Sequence, residues 1–246
     1  MFYRNFEKLI TLLVPCRERH DKTIDFLQSI ENSTHDKSQI RVITLTDWNA
    51  PDDIANISTF YNNTQPSYEL FNIVRHQASH LNKDYFNLAA LLAESYYVWI
   101  LGNDILLTTD GWDMILQKSL QHTFEDIAND TKSYYVYIDD DTHCNDACTA
   151  GNKDAGSCFP IISTNYAIKT RGPMPADARA WGGDIILYHR CRADSSFEMI
   201  DLCTQIAIQH ISIHNQKTES DSVTESMRER EFLDRGGNQA QSRFSM

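Results

Sequence analysis

The residues with the chemistry to bind a divalent cation and to move a proton fall at a few positions in this 246-residue sequence. Asp104 closes Gly102-Asn103-Asp104 directly after the apolar run YYVWIL, and Asp184 closes Trp181-Gly182-Gly183-Asp184 directly before IILY. His210 and His214 flank Ser212, so in a strand all three would point to one face. Carboxylate and imidazole together can hold Mn2+ or Mg2+, and such a cation neutralises a diphosphate. A second carboxylate, standing apart from the cation, can take the proton from a hydroxyl nucleophile. Each residue also has a plainer use. Asn103-Asp104 suits a turn or a helix cap, and Asp184 suits a helix N-cap.

Those side chains need elements that bring them to one edge. Leu9 to Val14 is a continuous apolar run stopped by Pro15, the pattern of a strand buried on both faces. Arg17 to Ile30 reads as a helix burying Ile24, Phe26, Leu27 and Ile30. Ile40 to Leu45 reads as a second strand with Asp47 just past its end, and Tyr68 to Val74 as a third. Lys83 to Ser95 has helical spacing, and Tyr96 to Leu101 is the strongest strand signal. Strands alternating with helices imply parallel βαβ units in an α/β domain, where ligands bind beyond the carboxyl ends of the strands. Arg17, Asp47 and Asp104 occupy such ends.

Further along, Gly111-Trp112 opens another helix, and Tyr134 to Ile138 is a strand running into Asp139, Asp140 and Asp141. Phe159 to Ile168 is expected as a strand, Trp181 to Tyr188 as a loop entering a helix, and Ile206 to Ile213 as a strand. We expect one catalytic-type domain over 1–214 and a polar tail over 215–246 with an amphipathic helix around Val223 to Leu233.

A 41% hydrophobic fraction with 11 Phe and 11 Tyr excludes a disordered chain. No apolar run reaches the length needed to cross a bilayer, so no stable membrane insertion is expected. Residues 1–15 lack a small-residue cleavage site, and the six cysteines form no dense framework, which together favour a cytoplasmic location with reduced thiols. The net charge of -12 works against non-specific affinity for nucleic acid. His143, Cys144, Cys148 and Cys158 have zinc-ligand types, but their intervals form no paired CxxC units.

The order LITLLVPCRER, ITLTD, Asn87 seventeen residues before Asp104, DGW, WGGD and a late His resembles the inverting, family-two-type GT-A glycosyltransferases over roughly residues 9–214. The resemblance implies a Rossmann-like, mixed and mostly parallel sheet flanked by helices. It also implies a nucleotide-sugar donor, UDP-linked by default, and Mn2+ or Mg2+. By position, Pro15, Arg17, Asp47, Lys83, Asn87 and Asn103 would contact the nucleotide, and Asp104 with His210 or His214 the metal. Trp181, Gly182 and Gly183 would face the acceptor, and Asp184 would be the base. The chain departs from the pattern in having one carboxylate in its DxD-like motif, Phe86 where an Arg commonly precedes the matched Asn, and Gly183 where a second late acid is usual.

The implied acceptors are a glycan, a protein, a small molecule or, by similarity to small freestanding viral transferases working in a host cytoplasm, a hydroxymethylated DNA base. Nucleotidyltransferases share much of this architecture, but VPCRERHDK lacks their glycine-rich loop. A catalytically inactive sugar-binding or nucleotide-binding protein is the non-enzymatic alternative.

Overall fold

The computed structural model describes residues 6–16, 20–76, 80–141, 157–176, 178 and 183–211. Its central feature is a seven-stranded sheet in the order β3-β2-β1-β4-β7-β6-β8. The strands are β1 (Lys8–Cys16), β2 (Ile40–Asp47), β3 (Glu69–Arg75), β4 (Ser95–Ile100), β6 (Ser133–Tyr137), β7 (Ile161–Ser163) and β8 (Phe197–Asp201). All pairs are parallel except those of β7 with β4 and β6, so β7 alone runs against the rest. Beside this sheet β5 (Ile105–Leu107) and β9 (Ile208–His210) form an antiparallel ribbon.

Strand alternation sends successive side chains to opposite faces. Tyr97 and Trp99 of β4 join a core with Phe26, Leu27 and Ile30 of α1 (His20–Ser33), Ile57 and Phe60 of α2 (Pro51–Thr64) and Trp112 and Leu116 of α4 (Trp112–Leu120). Val98 and Ile100 join a second core on the other face. There they meet Tyr85 and Phe86 of a π-helical turn (Leu81–Asn87), Ala89 and Ala90 of α3 (Leu88–Ala90), Ala167 of α6 (Thr164–Lys169) and Leu187 of α7 (Gly183–Ala193). The short α5 (Phe124–Ala128) adds Ile127 to the first core. The architecture is thus α/β with a mixed, mostly parallel sheet flanked by helices, as the sequence predicts.

The strands expected near Leu9, Ile40, Tyr68, Tyr96 and Tyr134 are present, and four differences stand out. Pro15 does not stop β1, because pairing with β4 ends at Leu13↔Ile100 and β1 continues against β2 alone, with Pro15 opposite Leu45. Asp47 is the last residue of β2 rather than one beyond it. The expected helix from Lys83 to Ser95 is a π turn and three α-helical residues, and Ser95 already belongs to β4, where its hydroxyl meets that of Thr11 at 2.7 Å. The expected strand from Phe159 to Ile168 is strand only over Ile161–Ser163 and turns into α6 at Thr164. Asn165 holds that turn by donating to Lys132 O at 2.8 Å and accepting from Tyr166 N at 2.9 Å.

The helix over Pro51–Thr64 and the strands over Ile105–Leu107 and Phe197–Asp201 have no counterpart among the elements expected from sequence. The Ile206 to Ile213 expectation corresponds to β9 as far as His210. The amphipathic segment around Val223 to Leu233 and the tail over 215–246 lie outside the described residues. Among the described residues no helix is long and apolar enough to cross a membrane.

Candidate functional site

The carboxyl ends of β1, β2 and β4 bring Pro15, Asp47, Asn103 and Asp104 to one edge of the sheet. Asp47 is 0% exposed and accepts a 2.9 Å hydrogen bond from the Tyr85 hydroxyl. The guanidinium of Arg75, which pairs with Asp47 in the β2–β3 register, lies 5.6 Å from the Tyr85 ring centroid. Its Nη1 donates to Asp84 O in the π turn. Next to Asp47, Trp48 is 61% exposed with the His76 ring edge-on at 6.3 Å.

Asn103 is buried and donates from Nδ2 to Thr23 Oγ1 of α1 at 3.0 Å, which fixes its amide orientation. Asp104 follows immediately and directly precedes β5, whose antiparallel register sets Ile105 opposite His210. The backbone is closed further by Ile211 N donating to Asp104 O at 2.9 Å. The result is a carboxylate and an imidazole from distant parts of the chain, Asp104 Oδ2 and His210 Nε2, 3.5 Å apart and largely shielded from solvent. His210 Nδ1 is buried without a hydrogen-bond partner among the described residues, and the Phe159 ring packs edge-on against the imidazole at 5.2 Å.

Gly102 explains part of the reduced motif. A Cβ there would come within 2.5 Å of Asp104 Oδ1, so the glycine leaves room for the one remaining carboxylate to fold back over the strand end. The donor set of carboxylate oxygen and imidazole nitrogen fits a first-row transition-metal dication such as Mn2+ better than Mg2+, which takes oxygen ligands, with remaining positions going to water or phosphate oxygens. Among the described residues no group of three His, Cys, Asp or Glu side chains gathers around one point, so Asp104 and His210 stand as a pair. His214 lies outside the described residues, as do Arg17, Trp181, Gly182, His143, Cys144 and Cys148.

The remaining sequence-predicted residues fall as follows. Lys83 is exposed on the π turn, and its backbone N–H donates to His80 Nδ1 at 3.1 Å. Asn87 has both ends of its amide engaged with Met174, donating to Met174 O and accepting from Met174 N, each at 2.8 Å. The structure thus joins Asn87 to the 172–174 segment. Gly183 is the first residue of α7 and Asp184 lies in its first turn, near enough to Tyr135 to help raise that phenol's pKa behind the larger effect of burial. A Cβ on Gly183 would collide with the Asn82 amide, so this glycine serves close packing against the π turn.

Among the described residues, Cys16 and Cys191 are poor thiolate nucleophiles. Burial pushes the Cys16 thiol up to about 12 against the lowering effect of a bond from Thr23, and burial also pushes Cys191 up to about 12. Asp140, in the acidic run after β6, is fully buried and accepts from Ser157 Oγ at 2.7 Å and Cys158 N at 2.6 Å. It anchors the segment that carries Phe159 towards His210. Sequence reasoning missed Tyr85, Arg75, His80 and Asn82, whose contributions depend on a π-helical register that has no periodic signature.

No protein-family model and no curated protein sequence matches the chain. Among solved structures, the mannosyltransferase PcManGT from Pyrobaculum calidifontis in complex with GDP-Man and Mn2+ superposes with a TM-score of 0.60 at 12% identity, over 93% of this chain and 70% of that one. S. aureus TarS 1–349 in complex with UDP gives 0.56 at 11% identity, over 92% of this chain and 72% of that one. The same TarS fragment with UDP-GlcNAc gives 0.57 at 12% identity, over 88% and 60%. Together with the seven-stranded sheet and its one reversed strand, the likeness establishes that this chain has the GT-A glycosyltransferase fold.

Proposed function

We propose that the chain is a glycosyltransferase that moves a sugar from a nucleotide-sugar, with UDP-sugars favoured, to an acceptor hydroxyl with inversion at the anomeric carbon. The observation that carries this reading is the approach of Asp104 and His210 to 3.5 Å at the end of β4, beside Asn103 and one strand over from the end of β1. The solved structures of the same fold that hold UDP, UDP-GlcNAc or GDP-Man with Mn2+ support it.

In this reading Asp47 accepts a hydrogen bond from the imide N–H of the base, with Tyr85 fixing its carboxylate. Pro15, Arg17, Lys83 and Asn103 line the rest of the nucleotide pocket, and Asn87, expected from sequence to join them, instead holds the Met174 segment on the acceptor side. Asp104 and His210, with His214 as a further candidate, are the residues that would hold Mn2+ or Mg2+. A bound cation there supplies positive charge against the departing nucleoside diphosphate. Asp184 takes the proton from the acceptor hydroxyl as its oxygen bonds to the anomeric carbon and the bond to the diphosphate breaks. Attack from the face opposite the leaving group inverts the configuration. Trp181, Gly182 and Gly183 border the acceptor, which is a glycan, a protein, a small molecule or a modified DNA base.

The test is release of nucleoside diphosphate from UDP-GlcNAc and GDP-mannose, with water as the acceptor, in Mn2+ and in EDTA. Turnover that requires Mn2+, with the freed sugar inverted by proton NMR at early times, is expected. Binding of UDP with Mn2+ but no release from any nucleotide sugar would make this a binding protein instead.

A further inference from the structure

The π turn Leu81–Asn87 touches both halves of the proposed site. On one side, Tyr85 bonds Asp47 at 2.9 Å and Asp84 O receives Arg75. On the other, three side chains reach the carbonyls of alternate residues in the segment that precedes α7. Asn87 Nδ2 donates to Met174 O at 2.8 Å, His80 Nε2 lies 3.0 Å from Ala176 O, and Asn82 Nδ2 donates to Ala178 O at 2.6 Å. Met174 N returns a bond to Asn87 Oδ1 at 2.8 Å.

The helix type matters to this arrangement. In an α-helix residues five apart point about 140° away from each other, at about 100° per residue. A π turn closes from i to i+5, so residues five apart come back to the same side. Asn82 and Asn87 are five apart, and both face the 174–178 residues. Two glycines confirm how close the packing is. A Cβ on Gly172, whose φ is +127°, would collide with Asn87, and one on Gly183 would collide with Asn82.

We propose that Asn82 and Asn87 are positioning residues, and that the π turn is a strap setting the start of α7, and with it Asp184, at a fixed distance from the nucleotide side of the site at Asp47. This rests on the reading of Asp184 as the base. The strap replaces the backbone ladder that holds the strand ends with amide side chains, so its loss would loosen the acceptor side and leave the donor side intact.

Asn82→Ala and Asn87→Ala in the full chain test this by two measurements. Hydrogen exchange followed by mass spectrometry is expected to rise at least tenfold in peptides spanning 172–190, with β1 and β4 peptides unchanged. Mn2+-dependent UDP release from UDP-GlcNAc is expected to fall at least tenfold in kcat, while UDP affinity by calorimetry stays within twofold. Unchanged local exchange, exchange that rises equally in β1 and β4, or kcat that stays at the unsubstituted value overturns the strap. An unsubstituted chain that neither binds UDP nor releases it overturns the reading of the site instead. The exchange measurement uses no substrate and separates the two failures.

Discussion

The proposed donor and acceptor sides of this site are built by different means. On the proposed donor side Asp47 ends β2 in a parallel register with β3 that runs over consecutive residues from Arg41↔Glu69 to Asp47↔Arg75, and Asn103 and Asp104 link the end of β4 to the β5–β9 ribbon. Backbone pairing sets the height at which Asp47 and Asp104 emerge, and single bonds from Tyr85 and to Thr23 orient Asp47 and Asn103. On the proposed acceptor side Met174, Ala176 and Ala178 are held by Asn87 and Asn82 of the π turn and by His80, the residue that caps it. A buried ladder is cooperative and tolerates a lost side chain, whereas three discrete amide or imidazole bonds can each be removed by one substitution. Donor-side changes should therefore show in affinity and acceptor-side changes in rate.

The largest effect should come from the acceptor side. Asp184→Asn is expected to lower turnover by about a hundredfold to ten-thousandfold, the usual contribution of a general base, with UDP affinity retained. An N-cap role would instead leave turnover near the unsubstituted rate, since Asn caps about as well as Asp. Loss of UDP affinity alongside turnover would break the division between the two sides.

Asp104→Ala should show the reverse signature. Calorimetry is expected to find no manganese-dependent component of UDP binding, while far-UV circular dichroism and Tm stay close to the unsubstituted chain because the side chain lies at a strand end. Persistence of that component would remove Asp104 from the cation site. His210→Ala should weaken manganese-dependent UDP binding by roughly tenfold to a hundredfold, in the range seen when groups around a metal are removed. An unaffected titration would assign the 3.5 Å approach to Asp104 to packing of the β5–β9 ribbon alone.

The smallest effect sharpens the link between the sides. Tyr85→Phe removes a buried hydroxyl that donates to the Asp47 carboxylate, a bond to a charged group worth about 1.5–3 kcal/mol. Urea unfolding should show a stability loss of about 1.5 kcal/mol, and preference for uridine over guanosine nucleotides should narrow. A narrowed preference with unchanged stability would mean that Tyr85 touches the base itself.

The strand ends that form this edge were largely readable from residue order. Apolar runs ending in Pro15, Asp47 and Gly102-Asn103-Asp104 predict strands whose ends carry those residues, because a strand buried on both faces must be apolar throughout and polar only where it emerges. The Lys83 to Ser95 stretch was legible only as apolar spacing. Helical periodicity cannot distinguish a π turn from an α-helix over seven residues, and the commitment of Asn87 to Met174 depends on a segment far along the chain. Phe159 to Ile168 misled for a related reason. Its apolar residues suit a strand, but β7 fits between β4 and β6 for only three residues before Asn165 turns the chain.

By itself the sequence determined that this is an α/β domain with alternating buried strands and helices, and that Asp47, Asp104 and Asp184 fall near element ends. Tertiary structure alone decided which side chains meet. Asp104 and His210 become neighbours through the antiparallel β5–β9 register, which no local pattern specifies. Asp47 receives its hydroxyl partner, and the residues before α7 their supports, from one π turn packed across the sheet edge. Local composition fixes what each segment can be, because burial and periodicity act within a few residues. The pairing of distant side chains is fixed only when the whole sheet closes and most buried polar groups find their partners.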